Sequence, residues 1–217
     1  RSSFRPRATR HLFFGNAARL SPPQRPCAGM PRSVTVLGAG IVGASLAYHL
    51  SGKGAQVTLI EAGEIASGVT ASSFAWINTT HAGADPIAQL RGMAIEAYRR
   101  LETELPDVQI RWTGALSYSE SAEYRASATL LSSAEVLARE PNLKNPPPCA
   151  LYRAEEGALY AVQTTHALIA GAQARGAQLL MHTRVTAFKT CNADVTGVET
   201  TAGTVDADHV VLAAGTG

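Results

Sequence analysis

From Ser33 onward the chain alternates between short apolar runs closed by glycines and longer stretches whose apolar residues recur every three or four positions. Val34-Thr35-Val36-Leu37 predicts a short strand, followed by a glycine turn over Gly38–Gly43. A helix is then expected to about Ser51, with Ala44, Ala47, Tyr48 and Leu50 available to pack on a sheet. Gly52-Lys53-Gly54 ends it, glycine being suited to the left-handed conformation beyond a helix C-terminus. Gln56 to Glu61 (QVTLIE) predicts a second strand, which completes a βαβ unit and requires the two strands to be parallel.

Ala62 to Thr80 is too rich in Gly, Ser and Thr for a regular element. After Asp85-Pro86, apolar residues at Ile87, Leu90, Ala94, Tyr98, Leu101 and Leu105 describe one face of a helix that Pro106 ends. Ile110–Trp112 and Ala115–Tyr118 predict short strands, Leu130–Glu140 a helix, and Pro141–Cys149 a surface linker. Thr164–Arg175 predicts a helix stopped by Gly176, and Leu179–Phe188 a strand. Val195–Thr200 should pair with Thr204–Ala207 across Ala202-Gly203. Asp208–Gly215 (DHVVLAAG) predicts a buried strand that returns to the first sheet and ends in a tight turn. The fold class is α/β, a Rossmann-like domain on a parallel sheet.

The charge distribution separates a leader from the body. Residues 1–33 hold seven arginines and no acid, so the remainder carries 12 basic against 17 acidic residues. A mildly acidic body gives no reason to expect nucleic acid as a partner. Residues 1–32 are expected to be disordered, either sequence upstream of a start at Met30 or an Arg-rich mitochondrial-type targeting segment. Cys27, Cys149 and Cys191 form no CxxC pair and the histidines no ligand spacing, so no metal is expected and a reducing, cytoplasmic location is favoured. The 20 uncharged residues Ser33–Gly52 are long enough to cross a bilayer, but their strand and glycine turn argue for a soluble βα unit instead of a transmembrane segment.

Gly38-Ala39-Gly40-Ile41-Val42-Gly43 is a GxGxxG that follows a strand and opens a helix, the placement that gives this motif its force. Gly38 permits the tight turn, Gly40 the approach of a pyrophosphate, and Gly43 close packing of helix on strand. The helix N-terminus adds unpaired N–H groups and about half a positive charge. Glu61 stands 18 residues past Gly43 at the end of the second strand, where an acid accepts ribose hydroxyls and repels a 2′-phosphate. These features serve NAD and FAD equally.

The ordered blocks VTVLGAGIVGASLAYHL, VTLIE, ASGVTASSFAWIN, TGALSYS, ALIAGAQARGAQLLMHTRVTAF and DHVVLAAGTG resemble the FAD-dependent D-amino-acid oxidase, glycine oxidase and sarcosine oxidase family over nearly all of 33–217. The resemblance implies that Gly38, Gly40, Ile41, Val42 and Gly43 hold the FAD pyrophosphate, and Glu61 with Ala62 the adenosine end. It places Ser67, Thr70 and Ser73 near the ribityl chain and flavin, Val185 against the adenine through its backbone, and Ala214-Gly215 over the cofactor. Phe74 and Trp76 are expected either in the core or beside the flavin ring.

The implied reaction is oxidation of a small amine or amino acid by hydride transfer to flavin N5, with oxygen or a quinone as final acceptor. The alternatives are a non-amine donor such as a 2-hydroxy acid, an NAD-dependent dehydrogenase, and an inactive dinucleotide-binding fragment. Three departures from the family stand out. Tyr160-Ala161 replaces an Asp-Pro, the 116–143 region is short, and the chain ends where relatives continue. Residues 33–217 are therefore expected to be an incomplete FAD-binding domain, with 110–160 partly inserted toward a mostly missing, mixed β-sheet substrate domain. No catalytic residue is assigned; nothing singles out Asn78 or His81 for that role.

Overall fold

The computed structural model describes residues 32–78, 87–118 and 128–216. All but Arg32 of the Arg-rich leader, and His81, lie outside them. In chain order the elements are β1 (Ser33–Leu37), α1 (Ile41–Gly52), β2 (Gln56–Ile60), β3 (Trp76–Ile77), α2 (Ala88–Glu104), β4 (Ile110–Arg111), β5 (Ala115–Ser117), β6 (Thr129–Ser132), α3 (Ser133–Arg139), β7 (Cys149–Arg153), β8 (Gly157–Leu159), α4 (Ala161–Ala174), β9 (Gln178–Leu180), β10 (Val185–Cys191), β11 (Asp194–Thr200), β12 (Gly203–Asp206) and β13 (His209–Leu212).

A four-stranded parallel sheet, order β13-β1-β2-β9, carries the dinucleotide-type unit. Its register sets Leu37 beside both Ile60 and Leu212, so three strands end level at one edge. Alternation along β1 and β2 sends Val34, Val36, Val57 and Leu59 into one core with Ala44, Ala47 and Tyr48 of α1 and Leu168, Ile169 and Ala172 of α4. Small residues set the spacing there, because a Cβ on Gly171 would come within 2.8 Å of the Tyr48 ring. Leu37 and Ile60 face the opposite side, against Val198 of the antiparallel sheet β10-β11-β12. Two further antiparallel sheets, β3-β8-β4 and β5-β7-β6, pack against α2 and α3 respectively.

Several segments depart from the sequence pattern for local reasons. The helix expected over 130–140 begins only at Ser133, because Ser132 forms a capping box with Glu135 and the preceding residues pair with β7 as strand β6. The expected 179–188 strand is two strands, β9 and β10, broken at His182, which adopts a left-handed φ of 52°. Helix α4 starts three residues before Thr164, at Ala161, and the linker gives way at Cys149 to β7. On α2 the buried side is carried by Ile95 and Leu101, whereas Leu90 and Met93 are both 63% exposed. Strand β13 rejoins the first sheet as expected but is not a buried strand, since His209 and Leu212 are exposed. Asp208 pins it: one carboxylate oxygen accepts the Ser33 N–H at 2.8 Å and the Ser33 hydroxyl at 2.9 Å, and these bonds hold its pKa below the usual value.

The far end of α1 is clamped to α2 and α4. Arg175 lies over the Tyr48 ring at 3.9 Å and donates to the Tyr48 hydroxyl at 2.7 Å, which in turn donates to Glu104 at 2.6 Å. Burial, reinforced by the Glu104 carboxylate accepting its proton, raises the Tyr48 pKa above 10.0. The native state thus keeps a proton that the unfolded chain gives up, so stability is level below pH 10 and falls as pH rises through the native pKa. Tyr48→Phe should lower the unfolding free energy by about 1–3 kcal/mol near neutral pH, because a buried bonded pair loses its partner. It should also flatten the alkaline decline; urea unfolding across pH 7–11 measures both.

Candidate cofactor site

The site lies at the level edge of the parallel sheet, where open α/β sheets bind ligands. Gly38 leaves β1 with φ 105°, and a Cβ there would come within 2.5 Å of the Ala213 carbonyl oxygen. A Cβ on Gly43 would overlap the Gly38 carbonyl oxygen, so α1 can lie across the turn only with glycine at this position. Backbone bonds fix the same edge from both sides: Gly38 N–H to Ile60 C=O at 2.8 Å and Ala213 N–H to Leu37 C=O at 2.8 Å.

Glu61 follows β2 into this edge. One carboxylate oxygen accepts the Ala39 N–H at 2.7 Å and the other the Gly63 N–H at 2.8 Å. Its backbone is tied to the β9 end, with Glu61 N–H to Leu180 C=O and Thr183 N–H to Glu61 C=O, each 2.9 Å. The acid is thereby oriented on the glycine turn itself, with a second lone pair on each oxygen still available.

The loop after β2 is a chain of tight turns. Ala66, at φ 59°, donates its N–H to the Ala39 carbonyl, and Ala71, Ser72 and Ser73 each donate to the residue three before. This brings Thr70 to the mouth of α1, where its hydroxyl accepts the Ile41 N–H at 3.1 Å.

Two clefts meet along this edge. One of about 580 Å³ is lined by Gly38, Gly40, Ile41, Val42, Glu61, Ser67, Thr70, Ser73, Ala214 and Gly215, among others. The second, of about 500 Å³, lies toward β10 and is lined by Gly38, Glu61, Ala62, Thr183, Arg184, Val185, Phe188, Leu212 and Ala214, among others. Gly38, Glu61 and Ala214 belong to both. The structure therefore gathers every expected site residue at one continuous surface except Gly43, whose place is behind it as a spacer between helix and turn.

Sequence reasoning missed Thr183, Arg184, Phe188 and Leu212. The break between β9 and β10 that delivers the first three has no glycine or proline to announce it. Neither aromatic of the loop is core: Phe74 is 81% exposed, and Trp76 is partly exposed with its indole N–H bonded to the buried Glu156 at 3.1 Å. Asn78 accepts from Arg91 at 3.1 Å beside a third hollow, of about 320 Å³, that adjoins the first through Ile41, Thr70 and Ser73. Among the described residues no group of three or more His, Cys, Asp or Glu could hold a metal, and no helix is long and apolar enough to cross a membrane.

The family profile described as DAO, FAD dependent oxidoreductase, matches residues 33–217. The chain belongs to this family. Among curated relatives of this FAD dependent oxidoreductase chain, glycine oxidase of Bacillus licheniformis is 28% identical over 197 residues, covering 83% of this chain and 53% of the relative. Mitochondrial dimethylglycine dehydrogenase of Mus musculus is 30% identical over 222 residues, covering 94% of this chain and 25% of the relative. Of solved structures, glycine oxidase from Bacillus cereus superposes with TM-score 0.75 at 23% identity, over 85% of this chain and 55% of that one. L-Proline dehydrogenase from P. horikoshii gives 0.75 at 24% identity, over 84% and 52%. The chain spans about half the length of the glycine oxidases it matches.

Gly43→Ala should push α1 off the turn, costing about 1–3 kcal/mol of stability as an overpacked substitution, read by thermal unfolding followed in circular dichroism.

Proposed function

We propose that this chain is the FAD-binding portion of a flavoenzyme that oxidises a small amine or amino acid. The observation that carries the reading is the pair of clefts joined through Gly38, Glu61 and Ala214 at the mouth of α1. The residues present fit such a cofactor. Gly38 and Gly43 leave no room for side chains at the turn, α1 opens with a glycine cap that brings no side-chain hydrogen bond, and an oriented carboxylate stands at the adjoining strand end. Gly38, Gly40, Ile41 and Val42 would hold the pyrophosphate with Gly43 as spacer, and Glu61 with Ala62 the adenosine. Val185 would meet the adenine, Ser67, Thr70 and Ser73 the middle of the cofactor, and Ala214-Gly215 would close over it.

FAD supplies the two-electron acceptor for oxidation of a C–N bond, and the protein binds and orients it. The roles of this chain are geometric. The α1 N-terminus and the loop hydroxyls offer donors to phosphate and ribityl oxygens, and Glu61 accepts from sugar hydroxyls while repelling a 2′-phosphate. Choice of an amine donor is supported by relatives whose names state one: glycine oxidase, dimethylglycine dehydrogenase and 4-methylaminobutanoate oxidase (formaldehyde-forming). The electron acceptor is oxygen or a quinone. The scattered cysteines favour the cytoplasm, and the acid-free leader offers the mitochondrion as the alternative. Residues 1–32 would be an upstream or targeting segment, and 110–160 a partial insertion belonging with a substrate domain.

A second reading, a non-catalytic dinucleotide-binding module, is favoured by one relative: the mitochondrial pyruvate dehydrogenase phosphatase regulatory subunit of Mus musculus, 26% identical over 201 residues. Titrating the purified chain with FAD should quench flavin fluorescence. Glu61→Gln should weaken binding about tenfold or more, because an amide turns a donor toward a backbone N–H and surrenders a charged acceptor. The whole protein should turn over glycine, sarcosine, proline or D-amino acids; turnover of 2-hydroxy acids alone would remove the amine assignment, and FAD binding with no turnover would favour the module.

A further inference from the structure

The third hollow, of about 320 Å³, shares Ile41, Thr70 and Ser73 with the first cleft and continues from there to α2. Arg91, Ala94, Ile95 and Tyr98 line it at spacings of three and four, so one face of α2 forms a wall, with the arginine at its N-terminal end. Ile77 and Leu159, which pack on Ile95 in one apolar cluster, add to the lining. Trp76 lines it as well, and its indole is held in place by the bond to the fully buried Glu156.

Among the described residues lining this hollow, Arg91 carries the one charged side chain. It is half-buried, and its Nη1 donates to the side-chain oxygen of Asn78 at 3.1 Å. That bond commits the amide oxygen of Asn78, whose remaining hydrogen-bonding capacity is its two N–H donors. A guanidinium is a planar fork of five donors that matches both oxygens of a carboxylate. Beside apolar walls, where water screens less, such a pair is stronger than on an open surface. The hollow thus joins a cationic, donor-rich end to an apolar body.

This chemistry discriminates among amine donors. A cationic amine lacking an acid group would meet a like charge at Arg91. An amino acid brings the matching anion, and an apolar side chain on it would cover Trp76, Ile77, Ile95 and Leu159, which glycine would leave wet. The volume lies at the low end of small-molecule pockets, which span about 300–1,000 Å³, and suits a ligand of amino-acid size.

We infer that this hollow is a substrate subsite for amino acids with apolar side chains, and that Arg91 is the residue that selects their carboxylate. The inference rests on the flavoenzyme reading above, and the probes are chosen to separate the two.

The full chain is titrated by calorimetry with isocaproate and acetate, the leucine and glycine skeletons without their amines, and with isocaproamide, which lacks the charge. Isocaproate should bind about tenfold or more tightly than either of the others. It should also shift the indole N–H proton resonance of Trp76, assigned by its absence in Trp76→Phe. Arg91→Met, which keeps the apolar stem, should bring isocaproate within about twofold of isocaproamide, and Arg91→Lys, a point charge without the fork, should fall between. Equal binding of acid and amide by the wild type, or an acid affinity that Arg91→Met leaves unchanged, would overturn the inference. So would isocaproate binding that leaves the Trp76 resonance in place. Should Arg91→Met lose its helical circular dichroism, the wild-type comparison of acid with amide and the Trp76 resonance carry the test. FAD is titrated in parallel: a chain that does not take FAD fails the cofactor reading and the substrate claim with it. FAD binding alongside equal affinities for acid and amide overturns the substrate claim alone.

Discussion

Everything at the sheet edge depends on three chain segments meeting without side chains between them. Gly43 lies on the carbonyl of Gly38, and Gly38 lies on the carbonyl of Ala213, so helix α1, strand β1 and strand β13 converge within a van der Waals contact of one another. Protein interiors are packed too densely to absorb an extra methyl at such a point. With the helix held this close, its N-terminus opens directly over the level strand ends. A wider spacing would aim the same N–H groups past the edge, and Glu61 could no longer reach the Ala39 N–H at 2.7 Å.

The opposite end of α1 is held by polar contacts of a different kind. Tyr48 of α1, Glu104 of α2 and Arg175 at the end of α4 share one hydrogen-bonded stack. Arg175 is the residue after α4 and Glu104 the last of α2, so the clamp ties helix ends rather than helix middles. The helix is thus fixed at one end by the absence of atoms and at the other by specific bonds. Its rotation about its own axis, which decides where Ile41 and Val42 face, is set by both.

Much of this arrangement is legible in the amino-acid sequence. The βαβ unit reads directly from the run Val34–Leu37, the glycines and the run Val57–Ile60, because local spacing and turn chemistry agree there. Glu61 and the return of β13 to the first sheet follow from the same logic. What the sequence hides is set by tertiary pairing. Strands of two or three residues such as β3 and β8 have no periodicity to detect and exist because each finds a partner. The Ser132–Glu135 box is visible as S-x-x-E, yet the apolar Leu130-Leu131 ahead of it reads as helix unless β7 is known to lie alongside. The faces of α2 and β13 depart from their apolar pattern because apolar residues need not be inside. The bond from Thr70 to the helix leaves no sequence signal at all, since it joins positions 29 residues apart through a loop whose turns have no periodicity.

The pairing of β13 with β1 has a consequence for how the chain acquires its shape. The two strands are adjacent in the sheet yet far apart in sequence, the Ser33–Asp208 tie spanning 175 residues. A chain emerging from the ribosome can assemble β1, α1 and β2 early, while one flank of β1 waits for β13, some 175 residues further on. Long-range parallel pairing of this kind is slow to form, and an open strand flank invites association with other chains in the interval. Strand β1 is therefore left open on one flank until β13 has been made, and shielding it over that interval is a task for folding helpers.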